Sequence, residues 1–117
     1  MENYKVEFLQ SALDDLEEIV LYIASDNKNI ALKWHDELLA KVNNLATFPM
    51  MGTLVPVKKI SKSGFRMFSI GSYIVFYKVY EKEKMVTILR VLNAKRDYPN
   101  FFNTYSVEKD KFYNYEK

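Results

Sequence analysis

The stretch Gly64–Pro99, GFRMFSIGSYIVFYKVYEKEKMVTILRVLNAKRDYP, decides how this chain folds. It reads as three short strands, Phe65–Ile70, Tyr73–Tyr80 and Met85–Leu92. All three are rich in β-branched and aromatic residues, which suit a pleated, half-buried surface. Gly71-Ser72 fits a two-residue hairpin turn, and Glu81-Lys82-Glu83-Lys84 fits a polar four-residue turn. The segment closes on the basic run Lys95-Arg96-Asp97. In the middle strand Tyr73, Val75, Tyr77 and Val79 point one way, and Ile74, Phe76 and Tyr80 the other. Both faces are apolar, so both must be covered.

Upstream, the pattern starts with period two. Tyr4, Val6 and Phe8 alternate with Lys5 and Glu7, which predicts a strand over Tyr4–Leu9. From Ala12 the period becomes helical: Leu13, Leu16, Val20 and Ile23 fall on one stripe, with Asp14, Asp15, Glu17 and Glu18 on the outer side. Ser11 is the expected N-cap, with Asp14 near the helix start. Ser25–Asn29 breaks the pattern and supplies capping side chains for a second helix, whose stripe is Ala31, Trp34, Leu38, Val42 and Leu45. Phe48-Pro49-Met50-Met51-Gly52 ends it: Pro49 disfavours helix at Phe48, and Gly52 is expected to permit a positive φ. Residues 53–63 read as a linker with a basic cluster, Lys58, Lys59 and Lys62.

The expected order is β-α-α-β-β-β, an α+β domain with a helical hairpin on one face of a small antiparallel-rich sheet. The other face is left to the C-terminal tail, a second copy of the chain, or a different protein. Residues 1–99 form the expected domain, and residues 100–117 an aromatic-rich tail with Phe101, Phe102, Tyr105, Phe112, Tyr113 and Tyr115.

With 117 residues and 49% apolar content, one domain with a real core is expected. Net charge is only +2, but it is unevenly placed. Residues 1–57 hold 4 Lys/Arg against 9 Asp/Glu, and residues 58–96 hold 10 against 2. A basic sheet half of this kind attracts nucleic acid or an acidic peptide. The absence of cysteine excludes disulfides, thiolate metal sites and cysteine nucleophiles. A lone histidine, His35, argues against a His-rich zinc site, so no cofactor or metal is expected. MENYKVEFLQ lacks the pattern of a secretory signal, and no apolar run is long enough to cross a bilayer. The simplest compartment is the cytoplasm.

From Tyr4 to Tyr98 the chain resembles the RelE/ParE superfamily of toxins from type II toxin–antitoxin systems, the ParE-like branch in particular. The marks are the opening strand leading into Ser11-Ala12-Leu13-Asp14-Asp15-Leu16, the Phe48-Pro49-x-x-Gly52 break, Phe65-Arg66, Gly71–Val79, and Ile88–Asp97. The resemblance implies a bacterial toxin of the plasmid-stabilisation type, held inactive by a cognate antitoxin that orders on binding. It implies one of two targets: DNA gyrase for the ParE-like branch, or messenger RNA on the ribosome for the RelE-like branch. A third reading is an antitoxin-binding module without toxicity.

RNA cleavage through a 2′-hydroxyl needs a proton acceptor, a proton donor and cations around the phosphate. The central-strand position that the ribonuclease branch fills with Arg aligns with Ile74, which cannot do that work. The chain is therefore not assigned as an enzyme. If it were a ribonuclease, Arg66, Arg96 and Tyr98 would carry the reaction. As a binding protein, its candidate contacts with target or antitoxin are Arg66, Arg90, Lys95, Arg96 and Tyr98. Arginine brings a planar fork for phosphate or carboxylate, and tyrosine a stackable ring with a donor. Bland alternatives stand beside these. Arg90 can pair with Glu7 or a helix carboxylate, the lysine cluster can be simply solvated, and the helix acids read as a solubilising face.

Overall fold

The helical periodicity of the first half becomes a hairpin of two helices, α1 (Gln10–Asp26) and α2 (Lys28–Asn44). The computed structural model describes residues 3–55 and 64–95. Asn27 alone joins the helices. Its backbone N–H donates to the Ile23 carbonyl at 2.9 Å, and its side chain accepts from the Ile30 N–H at 3.1 Å. One residue thus ends α1 and caps α2. The expected cap of α1 is not formed: Leu9 occupies the N-cap position without a side-chain bond, and Ser11 is used elsewhere.

Among the described residues five strands form one sheet: β1 (Lys5–Phe8), β2 (Thr53–Leu54), β3 (Phe65–Ile70), β4 (Tyr73–Tyr80) and β5 (Met85–Asn93), in the order β1-β5-β4-β3-β2. β1 runs parallel to β5, and the other pairs are antiparallel. The expected α+β architecture is present, with one correction: β2, a two-residue edge strand, lies in what reads as linker. The Gly71-Ser72 turn joins β3 to β4, with Gly71 at φ +59°, a conformation most side chains avoid.

The hairpin buries its stripe on one face of the sheet, α1 over β5 and α2 toward β3. Leu16, Ile19, Trp34, Leu38 and Val42 meet Tyr73, Val75 and Tyr77 there. Trp34 lies edge-on to Tyr73 at 5.2 Å and donates its indole N–H to the Ile70 carbonyl at 3.3 Å.

β5 carries an irregularity that the strand pattern does not announce. Phe76 pairs with Arg90, but the next residue, Tyr77, pairs with Ile88, so Leu89 is an extra residue. This bulge resets the alternation. Ile88 and Val91, three residues apart, both enter the helix-side layer, while Leu89 and Leu92 enter the other.

The second face, expected to need a cover, is covered within the chain itself. Val55, Phe65, Phe76, Leu89 and Leu92 form a second apolar layer there, exposed by only 0%, 3%, 2%, 2% and 5% within the single chain. No second copy or partner is required to cover them. The aromatic tail, residues 100–117, lies outside the described residues.

Candidate partner-binding site

Beyond Asn44 the chain tightens into turns, with the Phe48 N–H on the Asn44 carbonyl at 2.8 Å and the Met51 N–H on the Phe48 carbonyl at 3.2 Å. These turns deliver Phe48–Gly52 to the β2 edge of the sheet. A buried tyrosine then fixes the loop. The Tyr77 hydroxyl, inside the helix-side core, donates to the Pro49 carbonyl at 2.8 Å and accepts the Gly52 N–H at 2.9 Å. The Pro49 carbonyl and the Gly52 N–H are thereby satisfied without water. Gly52 does not have the positive φ expected of it. Its role is close approach: a Cβ there would sit 2.7 Å from the Met67 carbonyl oxygen and 2.7 Å from the Tyr77 hydroxyl. Burial raises the Tyr77 pKa above its ordinary value, opposed by the Gly52 hydrogen bond and the nearby Arg66 charge. Tyr77 is thus held as a neutral donor.

Arg66 reaches the same loop from β3. Its Nη1 donates to the Gly52 carbonyl at 2.6 Å and, more weakly, to the Met50 carbonyl at 3.4 Å. Around it the loop turns its apolar side chains outward. Phe48, Met50, Met51 and Leu54 are 60%, 43%, 40% and 48% exposed. Sequence reasoning singled out Arg66 but missed these four. The signal for Phe48, Met50 and Met51 was the unbroken apolar run Phe48–Met51, which belongs to no strand or helix stripe.

Arg90 points to the opposite side of the molecule. β1 ends at Phe8, and its ladder closes with the Leu9 N–H on the Ile88 carbonyl at 2.9 Å. Beyond that point the β1-side edge of β5 has no strand beside it among the described residues, and α1 side chains take over. Ser11 Oγ donates to the Leu89 carbonyl at 2.9 Å, and Asp15 Oδ2 accepts the Val91 N–H at 3.0 Å. The same carboxylate accepts Arg90 Nε at 2.7 Å on Oδ2 and Nη2 at 3.0 Å on Oδ1. Asp15 is therefore a structural anchor rather than part of a solubilising face, while Asp14, Glu17 and Glu18 are exposed.

Lys95 is exposed, and its backbone N–H donates to the Asn93 side chain at 2.9 Å. Arg96, Tyr98, Lys58, Lys59 and Lys62 lie outside the described residues. Ile74 is half-buried in the second apolar layer. His35 sits 3.8 Å from Asp36 at a crevice between the helices. Among the described residues no group of three or more His, Cys, Asp or Glu is placed to hold a metal ion. No helix among them is long and apolar enough to cross a membrane. The structure thus separates the two described arginines. Arg66 works at the β2 edge, and Arg90 is clamped beneath α1.

This architecture is that of small toxins from type II toxin–antitoxin systems. A solved structure described as the chromosomal ParDE system from P. aeruginosa is similar at TM-score 0.62 and 20% identity, covering 79% of this chain and 97% of that one. A second, the RelBE2 toxin–antitoxin complex from Mycobacterium tuberculosis, is similar at TM-score 0.54 and 20% identity, covering 78% of this chain and 98% of that one. At this identity the two share the fold. No curated protein matches the chain. A family model, the ParE toxin of the type II toxin–antitoxin system parDE, matches residues 6–98, and the chain belongs to that family. It is a toxin component whose partner is a cognate antitoxin.

Proposed function

We propose that this toxin inhibits DNA gyrase in the cytoplasm, as a protein that binds and poisons the enzyme rather than as a nuclease. The observation that carries the reading is the make-up of β4. At the position where resemblance to the ribonuclease branch implies a catalytic Arg, Ile74 packs into the second apolar layer. The neighbouring phenol, Tyr77, is occupied inside the core and held neutral by burial. The match over residues 6–98 supports the same branch. A poison of this kind needs a shaped surface and no acid–base pair. Arg66, Lys95, Arg96 and Tyr98 are its proposed contacts with target or antitoxin.

The test is purified gyrase with added toxin, read as supercoiling and as trapped cleavage complex, beside a translation reaction read for messenger RNA integrity. The expected result is loss of supercoiling and accumulation of cleaved DNA, with transcripts intact. Unaffected supercoiling together with cleaved transcripts, abolished in Arg66→Ala, would replace this reading with the ribonuclease one.

A further inference from the structure

The β2-edge loop combines an oriented cation with an apolar platform, and the core has no use for either. Arg66 Nη1 is held by the carbonyls of Gly52 and Met50, which sets the plane of the guanidinium. Nε and Nη2 make no hydrogen bond among the described residues, so one edge of the fork remains available. That edge suits a carboxylate, which can accept two parallel bonds from it. Leu54 stands opposite Arg66 in the β2–β3 register, and Met50 and Met51 flank the carbonyls that hold it. Phe48, Met50, Met51 and Leu54 are all at least 40% exposed, although four large apolar side chains so close in sequence would ordinarily be drawn inside. Methionine adapts its shape to an incoming side chain at little cost. The backbone beneath is rigid, because Tyr77 ties Pro49 and Gly52 to the core.

We propose that this loop is the seat of a segment of the cognate antitoxin. The segment carries a large apolar side chain within a few residues of a carboxylate. The apolar group lies on Phe48, Met50, Met51 and Leu54, and the carboxylate takes the open edge of Arg66. The charge of Arg66 favours an acidic segment over a basic one. The outer face of α1, with Asp14, Glu17 and Glu18 exposed beside Leu13 and Leu21, would repel the same segment. The proposal rests on the toxin–antitoxin reading and not on the identity of the target.

The test measures binding of the full chain to the protein encoded by the adjoining reading frame, by titration calorimetry. The variants are Arg66→Lys, which keeps the charge but removes the fork, the double variant Met50→Ser with Met51→Ser, and Leu21→Ser on the helical hairpin as control. Folding of each is checked by circular dichroism and thermal melting. The first two are expected to weaken Kd by about ten-fold or more, with Leu21→Ser unchanged. The loss in Arg66→Lys should change little as salt is raised, because the charge is kept and only the fork geometry is lost. Unchanged affinity in folded Met50→Ser/Met51→Ser overturns the seat alone, as does a loss confined to Leu21→Ser. No binding by the unsubstituted chain overturns the antitoxin partnership and the seat with it. Gyrase inhibition is read separately and bears on neither.

Discussion

Replacing Tyr77 with Phe removes one oxygen atom and should cost this small domain a large share of its stability. The side chain is 0% exposed, and its hydroxyl is shared between the Pro49 carbonyl at 2.8 Å and the Gly52 N–H at 2.9 Å. Phenylalanine keeps the ring and its tilted contact with Phe68, so the packing loss is small. The hydrogen-bond loss is not. A buried donor or acceptor left unsatisfied costs roughly 1–3 kcal/mol. Gly52 is buried and pays in full, whereas Pro49 is half-buried and water can partly replace the phenol. The expected total is about 2–4 kcal/mol, or a fall in Tm of roughly 10–20 °C for a domain of this size. Urea unfolding, followed by the fluorescence of the single tryptophan, Trp34, measures it. A loss under about 0.5 kcal/mol would refute the reasoning, since it would mean that the loop is not held by this hydroxyl. The pH dependence gives a second check. Burial raises the Tyr77 pKa above 10.0, so the folded state keeps this proton more tightly than the unfolded chain. The associated stability is complete below pH 10.0 and is lost as pH rises through the folded pKa. The advantage of the natural chain over Tyr77→Phe should therefore narrow in alkali. Widening would contradict the assignment.

Asp15→Ala leaves the Val91 N–H without its acceptor and Arg90 without its carboxylate, and should cost about 2–4 kcal/mol in denaturant unfolding. Asp15→Asn retains an acceptor for Val91 and should cost less. Gly52→Ala forces a Cβ against the Met67 carbonyl oxygen at 2.7 Å, and backbone cannot yield as a side chain can. A loss of about 1–3 kcal/mol is expected, and an unchanged Tm would show that the loop shifts freely.

Much of the fold was written in short-range patterns. The apolar stripes of α1 and α2, the Asn27 junction, the Gly71-Ser72 turn and the two faces of β4 all follow from spacing within one element. What was not legible depends on elements far apart in the chain. Ser11 and Asp15 look like an N-cap and a surface acid, because helical periodicity cannot show that β1 stops short and exposes the β5 edge to them. The extra residue Leu89 is invisible in a strand where every neighbour is apolar. A glycine after Pro-Met-Met suggests a turn, and only the position of Tyr77, 25 residues on, shows that it serves close approach. Of the candidate site, Arg66 was legible as a cation in a strand. Its anchoring on carbonyls was not, because it depends on where the loop lands.

The fate of the two described arginines changes where electrostatic recognition should be sought. A basic sheet half suggests a broad cationic face, but charge counted along a sequence says nothing of charge already neutralised. Arg90 meets Asp15 through two bonds, at 2.7 and 3.0 Å, and the same carboxylate also holds the β5 backbone. A partner that recruited Arg90 would have to break that arrangement, at a cost of a few kcal/mol set against its own binding. Arg66 carries no such debt, because its bonds are to neutral carbonyls that orient the cation without neutralising it. With the second apolar layer already buried, the contact we propose for an anionic partner lies at the β2 edge of the sheet rather than on its face. A partner approaching there meets Arg66 together with Phe48, Met50, Met51 and Leu54, so one contact combines charge with apolar burial.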